Sequence, residues 1–219
     1  MPVLSFGDGP LGLTLGLVLS YLVGAIPFGW GMARVLRGVD IRTQGSGNIG
    51  AANAMRALGR PLGLVAFLLD LTKGWAPVVF LASGDAGHQV ACGAAAVCGH
   101  VWPVYLGFRG GKAVATGCGS LLAIDPLVFL GGGVTWIATL LATRYVGLAS
   151  IVMGLSFPLL ATWRWVEGDR GWEPVAGTAG LALLIVVRHR SNIARMIAGT
   201  EPRTKLGRRG KEKQKEAAA

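Results

Sequence analysis

Charge is what this 219-residue chain has least of: Asp, Glu, Lys and Arg make up 15% of it, where a soluble domain carries about a quarter. That shortage excludes a water-soluble fold, which has no other way to cover its surface. Acidic residues are scarcer still, 11 against 21 Lys and Arg. The resulting net charge of +10 lies in loops and in a basic C-terminal stretch, not along one face, so no nucleic-acid partner is expected. The three cysteines, Cys92, Cys98 and Cys118, sit in apolar stretches without metal-ligand spacing. They read as buried inert thiols, and neither a metal nor a cofactor is expected.

What the chain has instead is apolar length. It is 52% hydrophobic with 35 glycines, a composition suited to membrane helices whose backbones approach closely. Apolar runs cover Leu11–Ala33, Leu62–Ala82, Gln89–Leu106, Val114–Ile124, Leu127–Ala142, Gly147–Trp163 and Pro174–Val187. The expectation is an all-α integral membrane protein of about seven transmembrane helices, with Pro27 kinking the first. Val114–Ile124 is short for a span. The first run has no basic n-region or cleavage site and reads as a retained helix. Nearly all Lys and Arg fall in segments 34–61, 105–113, 143–146 and 188–219, whereas the opposite segments hold only Arg164 and Arg170. The positive-inside rule therefore places the N-terminus outside and the C-terminus in the cytoplasm. No repeat suggests a two-halved transporter. The reading is one membrane domain, 1–203, followed by a basic, disordered tail, 204–219, that touches anionic lipid.

Three polar stretches lie at the cytoplasmic ends of these runs. The first is Gly45-Ser46-Gly47-Asn48-Ile49-Gly50-Ala51-Ala52-Asn53, followed by Arg56. Its glycines let successive N–H groups converge on an anion, Ser46, Asn48 and Asn53 add polar groups, and Arg56 adds a fork suited to phosphate. A helix starting at Ala51 would add its N-terminus. The second is Gly99-His100-Val101-Trp102-Pro103, then Phe108-Arg109-Gly110-Gly111-Lys112. A Gly-Gly-Lys turn entering a helix is a plausible phosphate cradle, though the spacing is not that of a Walker A loop. The third is Arg188-His189-Arg190-Ser191-Asn192-Ile193, with Arg195, Gly199 and Glu201 beyond. If the last span continues unbroken, His189, Asn192 and Arg195 share a helix face. A glycine linker, an interfacial lysine and a stop-transfer cluster are the bland readings of the three. They leave the Asn, His and Gly-Gly-Lys residues unexplained.

Within the second run, Asp70 and Lys73 stand one helical turn apart. They read as an ion pair supporting the site, because paired charges cost less in lipid than single ones. Ser150 is a weaker candidate for a substrate hydrogen bond. There is no G-x-S-x-G elbow, and none of His88, His100 or His189 has an Asp five residues on. Taken alone, the residues point to phosphate binding beside a lipid phase and do not name a reaction.

The loop GSGNIGAAN with Arg56, the run GHVWPVYLGFRGGK and the ending HRSNIARMIAGTE resemble, in order and spacing, the bacterial acyl-phosphate-dependent glycerol-3-phosphate acyltransferases. The resemblance runs to about Pro202. It implies transfer of a fatty acyl group from acyl phosphate to the 1-hydroxyl of glycerol 3-phosphate, at the cytoplasmic face of the bacterial inner membrane. Lysophosphatidate and phosphate would be the products. It further implies that Ser46, Arg56, Lys112, His189 and Asn192 hold the acceptor's phosphate, and that Gly110, Gly111 and their neighbours cradle the donor head. Gly47, Asn48, Asn53, Ser150 and Arg190 complete the expected substrate contacts. His100, His189 or the bound phosphate itself takes the proton. The partners expected are the two substrates and membrane lipid, with the protein a monomer or weak oligomer. Ile49 and Ala52 replace the Pro and Thr often found in the first loop, and Ala113 stands where Gly is common. A membrane anion transporter is the rival reading; the polar loops on one side and the scarcity of deep charge argue against it.

Overall fold

The computed structural model describes residues 9–204, in which every regular element is a helix. Each apolar run contains one long helix: α1 Pro10–Ala25, α4 Arg60–Phe80, α5 Ala86–Val101, α6 Val114–Ile124, α7 Pro126–Thr143, α8 Val146–Val166 and α9 Glu173–Arg188. Shorter helices α2 Phe28–Arg37, α3 Ala51–Leu58 and α10 Arg190–Ile197 lie at one end of the bundle. Four stretches, Pro10–Arg37, Arg60–Phe80, Pro126–Thr143 and Val146–Val166, are long and apolar enough to cross a membrane. Leu11, Val134, Leu141 and Leu159 point outward, while Gly16, Ser20, Gly132, Ala149 and Gly154 of the same helices are buried. Such a surface, apolar outside and small inside, is covered by lipid and not by water. Of the basic tail, only Thr204 falls within the described residues.

Two runs differ from expectation. The first is broken rather than kinked: proline lacks an N–H and disfavours helix before it, so α1 stops at Ala25 and α2 restarts after Pro27. The third ends at Val101, where Pro103 turns the chain into a short 3₁₀ segment, Val104–Leu106.

The break is splinted from α4. Lys73 Nζ donates to the Ile26 carbonyl at 2.7 Å and pairs with Asp70 Oδ1 at 2.7 Å. Both side chains are 2% exposed. The ammonium also lies 5.7 Å from the centre of the Phe28 ring. His100 Nδ1 reaches within 3.9 Å of the same Asp70 oxygen. The Asp70–Lys73 pair thus ties α1, α2, α4 and α5 together beneath the polar loops.

Helix α6 is short because protein wraps it. It packs on α4, α5, α7 and α9, and all but three of its residues, Val114, Leu122 and Ala123, are buried. A side chain at Gly74 would strike the Thr116 backbone, and one at Gly119 the Leu71 backbone. The α4–α6 contact is therefore backbone against backbone, as small residues permit in lipid. At the opposite end of the bundle, Asp125 caps α7 through the Leu127 N–H at 3.0 Å. It also pairs with Arg164 at 3.1 Å and Arg170 at 3.5 Å.

Candidate active site

The loop before α3 is shaped by its own asparagines. Asn53 is buried; its Oδ1 accepts the Ser46 N–H at 3.0 Å, and its Nδ2 donates to the carbonyls of Ile41 at 2.7 Å and Gln44 at 3.0 Å. Its amide is spent on the loop, so it places Ser46 and Gly47 rather than facing a ligand. Asn48 Oδ1 likewise accepts the Gly50 N–H at 2.9 Å. Ser46 and Arg56 are exposed, and α3 starts at Ala51 as expected. Upstream, Arg42 binds Asp40 through Nε and Nη2, and Trp30 Nε1 donates to Asp40 at 3.2 Å. The Arg42 guanidinium holds the Asp40 carboxyl well below the usual carboxylate range.

The second loop differs from the cradle expected of it. The Gly110 N–H donates to the Val101 carbonyl at 3.1 Å and the Gly111 N–H to that of His100 at 2.9 Å. Neither is left for an anion. Their own carbonyls accept from Arg188, Nη2 to Gly110 and Nε to Gly111, both at 3.0 Å. Gly110-Gly111 is a strap fastened on both edges, and a side chain at Gly111 would collide with the His100 imidazole. His100 is buried beneath the strap, and its Nδ1 has no hydrogen-bond partner among the described residues. The N–H groups that remain for an anion are those of the first turn of α6, which have no carbonyl four residues back inside the helix. Ala113, at the N-cap of α6, sits at φ 69, a left-handed conformation that suits glycine.

The third stretch does not continue α9. The helix closes at His189, and α10 restarts at Arg190. The reason is local: the His189 ring turns back, its Nδ1–H donating to the Ile185 carbonyl at 2.8 Å. A carbonyl only accepts, so this bond fixes the tautomer and leaves Nε2 with a lone pair. Lys112 Nζ donates to Asn192 Oδ1. Asn192 Nδ2 donates to Glu201 Oε1 at 2.6 Å, and Arg195 Nε donates to Glu201 Oε2 at 2.7 Å. Asn192 is therefore held with its oxygen toward Lys112, which keeps further N–H donors free. The chain after α10 is pinned by the Thr204 N–H on the Arg144 carbonyl at 2.8 Å and by Arg203 on Tyr145 Oη at 3.0 Å.

The structure thus joins Lys112, His189 and Asn192 at one end of the bundle, with Arg56 close enough to act on Lys112 electrostatically. Burial, with Arg195, Arg56 and Arg188 nearby, pulls the Lys112 ammonium down to about 8. Burial likewise pulls His189 down to about 4. One expected contact points elsewhere. Ser150 turns into the bundle, accepting from Trp136 Nε1 at 3.3 Å and donating to the Val146 carbonyl at 3.0 Å. Arg190 is exposed. Glu201 was missed as a site residue; its signal in the sequence is that it is the lone acid in the basic stretch from Arg188 to Arg209.

A bundle with an apolar exterior and one cation-rich end, where Lys112 and Arg188 join the second polar stretch to the third, has the form of an integral membrane protein suited to phosphorylated compounds. The family model described as glycerol-3-phosphate acyltransferase matches residues 14–199. A glycerol-3-phosphate acyltransferase of Desulforudis audaxviator (strain MP104C) is 44% identical over 194 residues, 88% of this chain and 96% of the relative. That of Anaeromyxobacter sp. (strain Fw109-5) is 44% identical over 88% of this chain and 98% of its own length. Among solved structures, the glycerol 3-phosphate form of PlsY (YgiH), an integral membrane glycerol 3-phosphate acyltransferase, superposes with a TM-score of 0.79 at 38% identity. The superposition covers 88% of this chain and 96% of that one. Its lysophosphatidic acid form gives 0.77 at 37%. The chain belongs to the glycerol-3-phosphate acyltransferase family.

Proposed function

We propose that this protein acylates the 1-hydroxyl of glycerol 3-phosphate, with a fatty acyl phosphate as donor and lysophosphatidate and phosphate as products. The observation that carries the reading is the contact between Lys112 and Asn192, which joins two anion-binding stretches 80 residues apart beside Arg56. Lys112, Arg56, Ser46 and Asn192 hold the acceptor's phosphate, Arg56 as a planar fork and Lys112 as a point charge.

The donor is a mixed anhydride and already activated, so no covalent nucleophile is required. The acceptor oxygen forms the new C–O bond, the C–O bond to phosphate breaks, and the hydroxyl proton must find a base. His189 presents Nε2 but holds a proton only below about 4, whereas a phosphate monoester has its second pKa near 6. That difference favours a substrate phosphate over His189 as the final proton carrier. His189 then orients the hydroxyl. The free N–H groups of the first turn of α6 stabilise the developing oxyanion.

In our reading the seven long helices cross or enter the bilayer with the N-terminus outside and the site facing the cytoplasm. The gathering of the basic loops at the site end supports that orientation. Residues 1–203 form one membrane domain in a monomer or weak oligomer of the bacterial inner membrane, and the tail from 204 touches anionic lipid. The test is phosphate release by purified protein in lipid, given palmitoyl phosphate with and without glycerol 3-phosphate. Release that requires both, with lysophosphatidate formed in equal amount, is the expected outcome. Binding of glycerol 3-phosphate without any acyl transfer would leave an anion transporter in its place.

A further inference from the structure

The stretch beyond α10 has no regular structure of its own, yet it delivers a buried carboxylate to the site. Glu201 is 9% exposed, while Thr200, Pro202 and Arg203 around it are exposed. Such a segment stays in place only where something ties it down. One tie is the end of α10, where the Thr200 and Glu201 N–H groups donate to the Arg195 carbonyl at 2.8 and 3.1 Å. The other lies on the far side of Glu201, at the corner between α7 and α8.

At that corner Arg203 Nε donates to Tyr145 Oη at 3.0 Å, and its guanidinium lies 5.1 Å from the centre of the Tyr145 ring. The Thr204 N–H donates to the Arg144 carbonyl at 2.8 Å. Arg144 itself is held at φ 62, a conformation uncommon for a residue with a Cβ. The same corner also presses on the site directly. A Cβ at Gly147, in the first turn of α8, would stand 3.0 Å from Asn192 Nδ2.

What the corner controls follows from donor and acceptor roles. Both Glu201 oxygens are taken, one by Asn192 Nδ2 and one by Arg195 Nε. A carboxylate only accepts, so it obliges the Asn192 amide to give it the nitrogen and to turn the oxygen to Lys112. Without Glu201 the amide is free to present either end, and its NH₂ makes no bond to an ammonium. Of the charged groups around Lys112, Arg195, Arg56 and Arg188 weaken its hold on a proton and Glu201 strengthens it. His189, neutral above about 4, is a further titratable neighbour.

We propose that the α7–α8 corner is a positioning element of the acceptor site: Tyr145 clamps Arg203 so that Glu201 stays on Asn192, and the missing side chain at Gly147 leaves Asn192 room to face Lys112. Tyr145, Arg203 and Gly147 act through Glu201 and Asn192, not on substrate. The acceptor's part in this rests on the function proposed above; the clamp's hold on Lys112 does not.

The test uses the full chain in phosphatidylcholine nanodiscs and begins with Lys112 itself. Competitive labelling of its amine across pH, read by mass spectrometry, gives its titration midpoint without any substrate. Arg203→Gln should lower that midpoint from about 8, because Glu201 is released. Simple removal of a cation would raise it, so the sign separates a clamp from a direct charge effect. Tyr145→Phe keeps the ring under the guanidinium and should show part of the shift, and Arg203→Lys should stay near wild type. In Glu201→Gln the midpoint is already low, and adding Arg203→Gln should move it no further. In the phosphate-release assay, Arg203→Gln and Gly147→Ala should each raise the KM for glycerol 3-phosphate about fivefold, with that for palmitoyl phosphate within about twofold. A lowered Tm with an unchanged midpoint would reduce the corner to a structural contact and overturn the proposal, as would a midpoint that rises. A lowered midpoint in a protein that transfers no acyl group would keep the clamp and sink only the acyltransferase reading.

Discussion

The two ends of this bundle use the same residue types to opposite purposes. At the end away from the site, Asp125 caps α7 and takes Arg164 and Arg170, while Arg164 also pairs with Asp169. Charge there is matched and the corner is closed. At the site end cations outnumber carboxylates, and Glu201 and Asp40 each serve an arginine while Lys112 retains free donors. Among the described residues, all three non-glycine residues with positive φ, Phe108, Ala113 and Arg144, lie at that end too. Strain and unspent charge are concentrated where a ligand resolves them, and the other end holds the helices in register.

Substitutions sharpen that contrast. The largest effect is expected from Lys112→Ala, which should lower kcat/KM at least a hundredfold in the phosphate-release assay while the protein stays folded; near-normal turnover would remove Lys112 from the site. Asp125→Ala should act on stability alone. Breaking a buried ion pair costs about 3–5 kcal/mol, and since Arg164 keeps partial access to solvent a loss of about 2 kcal/mol is expected as a lowered Tm. A fall in kcat at permissive temperature would show that the two ends are coupled. Arg56→Lys should raise the KM for glycerol 3-phosphate several-fold with little change in kcat, because Lys cannot reproduce a planar two-point contact.

A pH titration is the next finer test. Lys112 loses its proton as pH rises through about 8, so its charge, and with it affinity for glycerol 3-phosphate, is full below that value and declines above it. The wild-type KM should climb above pH 8, and Lys112→Arg should flatten the climb; a profile flat to pH 9.5 in the wild type would refute the assignment. The smallest effect belongs to Ala113→Gly. Relief of the left-handed strain at φ 69 should raise stability by about 1 kcal/mol, and an unchanged Tm would mean that the Cβ contacts there compensate.

The helices were legible in the sequence because lipid imposes one rule on every span, and each apolar run contains its helix. What escaped was backbone routing. Nothing in Gly110-Gly111 announces that its N–H groups face Val101 and His100, since that depends on Arg188 arriving from α9 to take the carbonyls. Asn53 was legible as a polar residue that matters, not as one that spends its amide on Ile41, Gln44 and Ser46. Pro27 announced a disturbance; that the disturbance is a complete break became visible only with Lys73 seated on the Ile26 carbonyl. Lys112, His189 and Asn192 could be read because each is a residue type that seldom lies beside lipid without a partner.

The Lys73 splint bears on how the chain assembles. An unpaired Asp or Lys at the centre of a membrane helix costs about 2.5–3.5 kcal/mol to insert. Because Asp70 and Lys73 share one helix, they neutralise each other before any neighbour arrives. Helix α4 can therefore enter the bilayer as an electrically silent segment. Only then does its lysine reach the Ile26 carbonyl at the break, turning an insertion liability into the peg on which α1 and α2 are hung.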